Sequence, residues 1–195
     1  MKRNGFFSPA GEVDYVERAF DGSPTGVSDI VDVGLGPEGI WSIIDSKRSR
    51  VYTYDDNGEL LFAYGDRGVQ LGNIQTVGAV IYQGEKMILL DTSNSSFTVY
   101  DLTDYGELLL SAIRHNNDRE YSVAEDDWQQ ILSKNNNFDA AYVGLGKAYY
   151  RQGEWEKSME YYQKAYNTAD YSTSFANWRK EVVSKYIALI PIIII

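Results

Sequence analysis

Apolar positions change their rhythm once along this chain. From about residue 30 to residue 101 they come as short β-branched and aromatic runs, such as Val51-Tyr52-Thr53-Tyr54 and Phe97-Thr98-Val99-Tyr100, punctuated by Gly, Asp and Asn. That is the rhythm of strands joined by tight turns. From residue 105 onward they fall three and four apart, as in Leu108-Leu109-Ala112-Ile113 and Phe175-Trp178-Val182. That is the rhythm of helices with one buried stripe. Asp56-Asn57-Gly58 marks a hairpin, because Asn-Gly accepts the positive φ of a tight turn. Asn135-Asn136-Asn137 marks a break between helices. The pattern predicts an α+β chain with antiparallel strands first and helices second. Residues 1–28 set Pro9, Gly11, Gly22, Pro24 and Gly26 among a few apolar positions and read as a long loop with one short hairpin.

Each half repeats itself. In the second half, Tyr121, Ala124, Trp128 and Ile131 recur 34 positions later as Trp155, Ser158, Tyr162 and Ala165. Leu108, Ala112 and His115 likewise fall opposite Tyr142, Gly146 and Tyr149. A fixed period of this size marks stacked helical hairpins. Gly146 and Ala148 leave room for close helix approach, and Tyr149 and Tyr162 fill the gap beside them. Gly153 tolerates the left-handed backbone of a helix stop. Glu154 places a carboxylate at the positive end of the next helix.

On these residues, 139–172 resembles a tetratricopeptide repeat: Tyr142, Leu145-Gly146 and Tyr149 in the first helix, then Gly153, Trp155, Ser158, Tyr162 and Ala165. Residues 105–138 resemble a more degenerate copy, with Ser111-Ala112 for Leu-Gly, His115 for Tyr and Arg119 for the turn Gly. Ser172-Thr173-Ser174 is expected to cap a further helix, from Phe175 to about Tyr186, that closes the exposed end of the stack. The resemblance implies docking of a protein or peptide. First-helix residues outside the packing pattern, Asn116, Lys147 and Tyr150, are the candidate partner-binding groove.

In the first half the period is 46. Asp45-Ser46 recurs as Asp91-Thr92, and Val51-Tyr52-Thr53-Tyr54-Asp55 as Phe97-Thr98-Val99-Tyr100-Asp101. Pro37-Glu38-Gly39-Ile40, Ile43-Ile44-Asp45-Ser46, Arg50-Val51-Tyr52-Thr53-Tyr54-Asp55 and Gly58-Glu59-Leu60 resemble an NHL-type β-propeller repeat. In the second copy Gln83 and Ser96 replace the Pro and the Arg. The resemblance implies that residues 1–104 form a partial propeller of about two blades. Propellers need about four to eight blades, so the chain is expected to be a piece of a longer one. The string Gly106-Glu107-Leu108-Leu109 echoes the outer strand that begins at Gly58. It has helical spacing, however, so the second blade is expected to lack that strand, and an N-terminal segment is expected to supply it.

The last residues, 187–195, are almost wholly apolar. A span needs about 20 such residues, so the tail reads as the start of a transmembrane helix, with an apolar tail packed on the repeats as the alternative. The order of modules is similar to bacterial surface proteins whose membrane region is Yip-family-like, which implies a membrane anchor and an extracytoplasmic soluble part. Lys2-Arg3 is followed by Asn4-Gly5 instead of the apolar core of a secretion signal. The domain reading is therefore 1–104, two repeats over 105–172, a capping helix over 173–186 and the tail.

Composition narrows the chemistry. The net charge of −10 argues against nucleic acid, which is bound by basic faces. No cysteine is present, which excludes disulfides and thiolate metal sites. The single histidine, His115, stands at a repeat packing position. Gly34-Leu35-Gly36-Pro37 lacks the strand–helix setting of a phosphate loop. Asp29, Asp32, Asp45, Asp55, Asp56, Asp91 and Asp101 offer oxygens suited to calcium. Their recurrence at like positions instead points to turn hydrogen bonds. The 16 tyrosines fall mostly on packing positions, with carbohydrate or a small ligand at the propeller as their other use. These features favour a non-enzymatic, membrane-anchored binding scaffold without cofactor. The alternative is part of a calcium-dependent propeller hydrolase of lactonase type.

Overall fold

The strand-like runs pair in chain order, as short turns dictate. A computed structural model describes residues 28–65 and 73–187. They divide into two compact units between Gly106 and Glu107.

The first unit holds two antiparallel sheets. β1 (Ile30–Leu35), β2 (Trp41–Asp45), β3 (Arg50–Tyr54) and β4 (Leu60–Tyr64) form one, in the order β1-β2-β3-β4. β5 (Val77–Gln83), β6 (Lys86–Asp91) and β7 (Ser96–Tyr100) form the other, in the order β5-β6-β7. The 46-residue period survives in detail. The β2–β3 and β6–β7 turns each hold a serine at positive φ, Ser49 at 51° and Ser95 at 52°. Both sheets carry a register shift at the start of their first strand, between Ile30 and Asp32 and between Val77 and Ala79. The fourth strand expected to be missing from the second sheet is absent among the described residues. The segment that echoes β4 lies in the first helix.

The sheets stack face to face. Ile44 and Val51 of the first pack with Val77, Val80, Met87 and Leu89 of the second, flanked by Tyr64, Tyr82 and Tyr100. Gly34 makes the approach possible, since a Cβ there would lie 2.9 Å from the Val80 carbonyl oxygen. The Val80 N–H donates to Asp32 Oδ2 at 2.8 Å, and the Ser42 and Tyr82 hydroxyls meet at 2.6 Å. The unit is thus two stacked antiparallel sheets. Of the loop and hairpin expected over residues 1–28, residues 1–27 lie outside the described residues.

The second unit is helical: α1 (Asp104–Asn117), α2 (Tyr121–Lys134), α3 (Asp139–Gln152), α4 (Trp155–Lys164) and α5 (Thr168–Ile187). α2 and α4 begin 34 residues apart, as the repeat requires. α3 ends at Gly153, whose φ of 79° is left-handed, and the Glu154 N–H reaches back to the Tyr149 carbonyl at 2.9 Å. The same turn occurs at Arg119, φ 66°, with the Glu120 N–H on the His115 carbonyl at 2.8 Å. It occurs again at Tyr166, φ 55°, with the Asn167 N–H on the Tyr162 carbonyl at 2.9 Å.

One boundary differs from expectation. Ser172, Thr173 and Ser174 do not cap a helix starting at Phe175; they lie inside α5. Their hydroxyls donate to the carbonyls of Thr168, Ala169 and Asp170. Such hydroxyls can bond back one turn and so are tolerated within a helix. The cap is Asn167, whose Oδ1 accepts the Asp170 N–H at 3.2 Å, the usual role of Asn at that position. Among the described residues no helix is long and apolar enough to cross a membrane. Residues 188–195, the greater part of the expected transmembrane start, lie outside the described residues.

Candidate functional site

The helical unit is assembled by small residues facing large ones. A Cβ on Gly146 would lie 2.7 Å from the Tyr162 ring, and one on Gly144 would run into the Trp128 indole. Ser158, fully buried, donates to the Gly146 carbonyl at 2.9 Å and meets the Ser174 hydroxyl at 2.8 Å. One short side chain thus ties α3, α4 and α5 together. Contacts run in opposite senses along neighbouring helices. Val143 packs with Ala165 and Tyr162, while the Lys157 ammonium sits 4.9 Å over the Tyr149 ring. α3 and α4 are therefore an antiparallel hairpin. α5 continues the stack, with Trp155 Nε1 donating to Glu181 at 2.7 Å and Trp178 Nε1 to Glu156 at 2.9 Å.

Tyrosines finish this packing. The Tyr149 and Tyr161 rings stack 5.3 Å apart and Tyr142 stacks on Tyr161 at 6.5 Å. The Tyr149 hydroxyl donates to Glu125 of α2. Burial, and then the Glu125 carboxylate, push that phenol well above its ordinary value. It stays a neutral donor linking the two hairpins.

His115 is held in the same way. Its Nδ1 lies 2.8 Å from Asp127 Oδ2, and Ser111 donates to that oxygen at 3.0 Å. Ser, His and Asp are all present, but serine and carboxylate share one ring nitrogen. A nucleophile relay needs them on opposite nitrogens. Here Nε2 faces Glu120 at 3.7 Å instead. The trio joins α1 to α2.

The three groove candidates have different surroundings. Asn116 is 8% exposed, with Nδ2 3.4 Å from the Gly144 carbonyl. Its Oδ1 and the Trp128 Nε1 are buried without a hydrogen-bond partner among the described residues. Lys147, one turn along α3 from Gly144, is half-buried. Tyr150 turns to the other side, where its hydroxyl accepts from Asn177 Nδ2 at 2.9 Å and its ring meets Trp155 edge-on. The structure therefore buries Asn116 against the Gly144 carbonyl of α3, leaves Lys147 half-buried and directs Tyr150 to α5. Sequence reasoning missed Gly144. Its signal was the extra glycine of Gly144-Leu145-Gly146, on the N-terminal side of the family's leucine.

The acids of the sheet unit do not converge. Asp45 accepts the N–H groups of Asp29, Lys47 and Arg48 and pairs with the Arg48 guanidinium at 2.8 Å. Asp91 accepts those of Gln75, Thr76, Ser93 and Asn94, and the Asn94 side chain. Each carboxylate closes the turn after β2 or β6. Burial pushes both carboxyls up. For Asp45 it is outweighed by Arg48, Ser28 and the Asp29 amide, and for Asp91 by the amides of Gln75, Asn94 and Ser93. Both are held below the usual carboxylate range.

Asp55 caps the Asp56-Asn57-Gly58 turn through the Asn57 and Glu59 N–H groups. Asp101 departs from that role: it is exposed and paired with Lys86 at 2.7 Å, because no hairpin follows β7. Among the described residues no three metal-ligating side chains gather.

No curated protein matches this chain. Residues 139–169 match the family model of the tetratricopeptide repeat. That match covers α3, α4 and the first residues of α5, so this stretch is a tetratricopeptide repeat within a helical stack that follows two antiparallel sheets.

Proposed function

We propose that this protein is a non-enzymatic docking scaffold whose helical stack holds a protein or peptide partner. The observation that carries this reading is the coincidence of the 139–169 repeat with a hairpin built on Gly146–Tyr162 complementarity. Stacked hairpins of this type present extended surfaces made of their first helices. On α3 that surface includes the half-buried Lys147, whose positive charge suits a partner segment bearing a carboxylate.

The test is selection of a random peptide library on the immobilised full chain, followed by amide-exchange mapping of an enriched peptide. Protection is expected in α1 and α3, with affinity falling at least tenfold in Lys147→Glu and unchanged in the exposed Ser133→Ala. Failure to enrich any peptide, or protection confined to the sheets, would overturn it.

Two finer readings belong to the same proposal. The sheets are blades of an NHL-type propeller, supported by the 46-residue period and the Pro37–Ile40 and Arg50–Asp55 motifs, with carbohydrate or a small molecule as its ligand. The chain is membrane-anchored at the bacterial surface with its soluble part outside, supported by the apolar run near Ile195 and the order of modules. Nothing favours the calcium-dependent hydrolase. Asp45 and Asp91, its most regular acids, already direct their oxygens at backbone N–H groups.

A further inference from the structure

Asn57-Gly58 closes the hairpin between β3 and β4, and an Asn-Gly pair can rewrite its own backbone. The glycine nitrogen attacks the asparagine Cγ, and the Cγ–Nδ2 bond breaks. Nδ2 leaves as ammonia, carrying the proton of the attacking nitrogen, and a succinimide ring remains. Water then adds to either ring carbonyl. One opening gives aspartate. The other gives isoaspartate, in which the side-chain methylene has entered the main chain. Glycine permits the ring because no Cβ obstructs it. The sequence holds this pair twice, as Asn4-Gly5 and Asn57-Gly58, and the first lies outside the described residues.

At Asn57 both reacting nitrogens are tied. The Gly58 N–H donates to the Asp55 carbonyl at 3.1 Å. Attack needs that nitrogen deprotonated, and a hydrogen bond made by its proton opposes this. The leaving group, Nδ2, donates to Asp56 Oδ1 at 2.7 Å and to Asp55 Oδ2 at 3.2 Å. Swinging Cγ onto the Gly58 nitrogen breaks both bonds. The backbone is fixed as well: the Asn57 and Glu59 N–H groups donate to Asp55 Oδ1 at 2.9 and 2.8 Å, and the Asp55 N–H to the Glu59 carbonyl at 3.0 Å. The neighbouring carboxylates add negative charge, which further disfavours an anionic nitrogen. Yet Asp56 and Asn57 are exposed. Water is at hand, and such a turn opens locally without breaching a core.

We infer that Asn57-Gly58 is a self-modification site that the folded turn holds closed, and that its conversion to isoaspartate releases β4. The reaction runs at the rate of the opened turn multiplied by the fraction open, so opening of the hairpin sets its pace. The isoaspartyl product lengthens the main chain between β3 and β4, and the pairing of Tyr54 with Leu60 then loses its register. β4 has inward contacts to lose: Leu61 is buried, and Tyr64 flanks the core between the sheets. The first sheet would keep β1, β2 and β3, the same number of strands as the second.

The inference is independent of the docking role given to the helices. The test incubates the full chain, carrying Asn4→Gln, in mildly alkaline buffer with and without urea. Cleavage after Arg50 and Arg67 isolates a segment whose one asparagine is Asn57. Mass spectrometry reads the conversion, and an isoaspartyl-specific methyltransferase reads the isomer. The folded chain is expected to convert at least about tenfold more slowly than the chain in urea, and Asp56→Ala to narrow that gap several-fold. Equal rates in the two buffers, no conversion in urea, or an unchanged gap in Asp56→Ala would each overturn the inference. The isoaspartyl fraction is expected to lose amide-exchange protection over Leu60–Tyr64, and Asn57→Asp, with its main chain unlengthened, to lose less. Protection kept in the isoaspartyl fraction would refute the release of β4.

Discussion

The two units repeat themselves by opposite rules. In the sheets the turns are kept and the faces vary: Asp45 and Asp91 bind the same pattern of backbone N–H groups, while Ser42 and Thr53 give way to Ile88 and Val99. In the helices the faces are kept and the turns vary. Bulk at Trp128 and at its counterpart Tyr162 each meets a glycine of α3, Gly144 and Gly146, while the left-handed turn is made by Arg119, Gly153 and Tyr166 in succession. The reason lies in what holds each unit together. A sheet's ladder is indifferent to side chains, but its tight turns leave donors that must be met. A helix satisfies its own backbone, so hairpins adhere only through side-chain fit, and a strained turn residue adds only about 1–2 kcal/mol.

The largest blow to this contrast would come at a helical glycine. Gly146→Leu has no space beside the Tyr162 ring, and overpacking costs about 1–3 kcal/mol or more. Loss of helical circular dichroism with survival of the β signal is expected. Unchanged helicity and melting temperature would contradict face-dependent packing.

Next comes the turn carboxylate. Asp91→Asn turns an amide toward backbone donors and should cost about 1–3 kcal/mol in chemical denaturation. The pH dependence follows from the direction of the shift. A carboxyl held below its unfolded value, 3.8, contributes stability that is full above that pH. It is lost as pH falls through the lower folded value. The wild-type sheets should therefore weaken below about pH 4, and Asp91→Asn should flatten that drop. An equal acid drop in the variant would remove Asp91 from its role.

Smaller and opposite in sign is Arg119→Gly. It relieves the 66° φ and should raise stability by up to about 1 kcal/mol, read as a higher melting temperature of the helical unit. Gly153→Arg should lower it by a like amount. Smallest is Ser95→Asn at the exposed sheet turn, φ 52°, with a gain under about 1 kcal/mol. A loss at either position would show that the turn residue is fixed by contacts beyond its backbone angle.

Much of this was legible beforehand because the repeats expose it. Gly153, the Asp56-Asn57-Gly58 turn, the turn role of Asp45 and Asp91, and the helical place of Gly106-Glu107-Leu108-Leu109 all follow from comparing a position with its counterpart. The start of α5 was misplaced because Ser172, Thr173 and Ser174 look like caps in isolation. Only their back-bonding inside a helix already capped by Asn167 tells otherwise. Asn116 and Tyr150 looked available because their partners, Gly144 and Asn177, are distant in sequence.

The sequence by itself determined where strands give way to helices, which residues turn the chain, and that hairpins of the tetratricopeptide type would nest, since each is set by local periodicity and backbone preference. The tertiary structure alone decided that Gly144 admits Trp128, that His115 binds Asp127 and Ser111 as a strut, and that Phe97 and Val99 look outward where Val51 and Thr53 look inward. Those outcomes depend on which surface is brought against which, and contact across folded elements leaves no trace in local spacing.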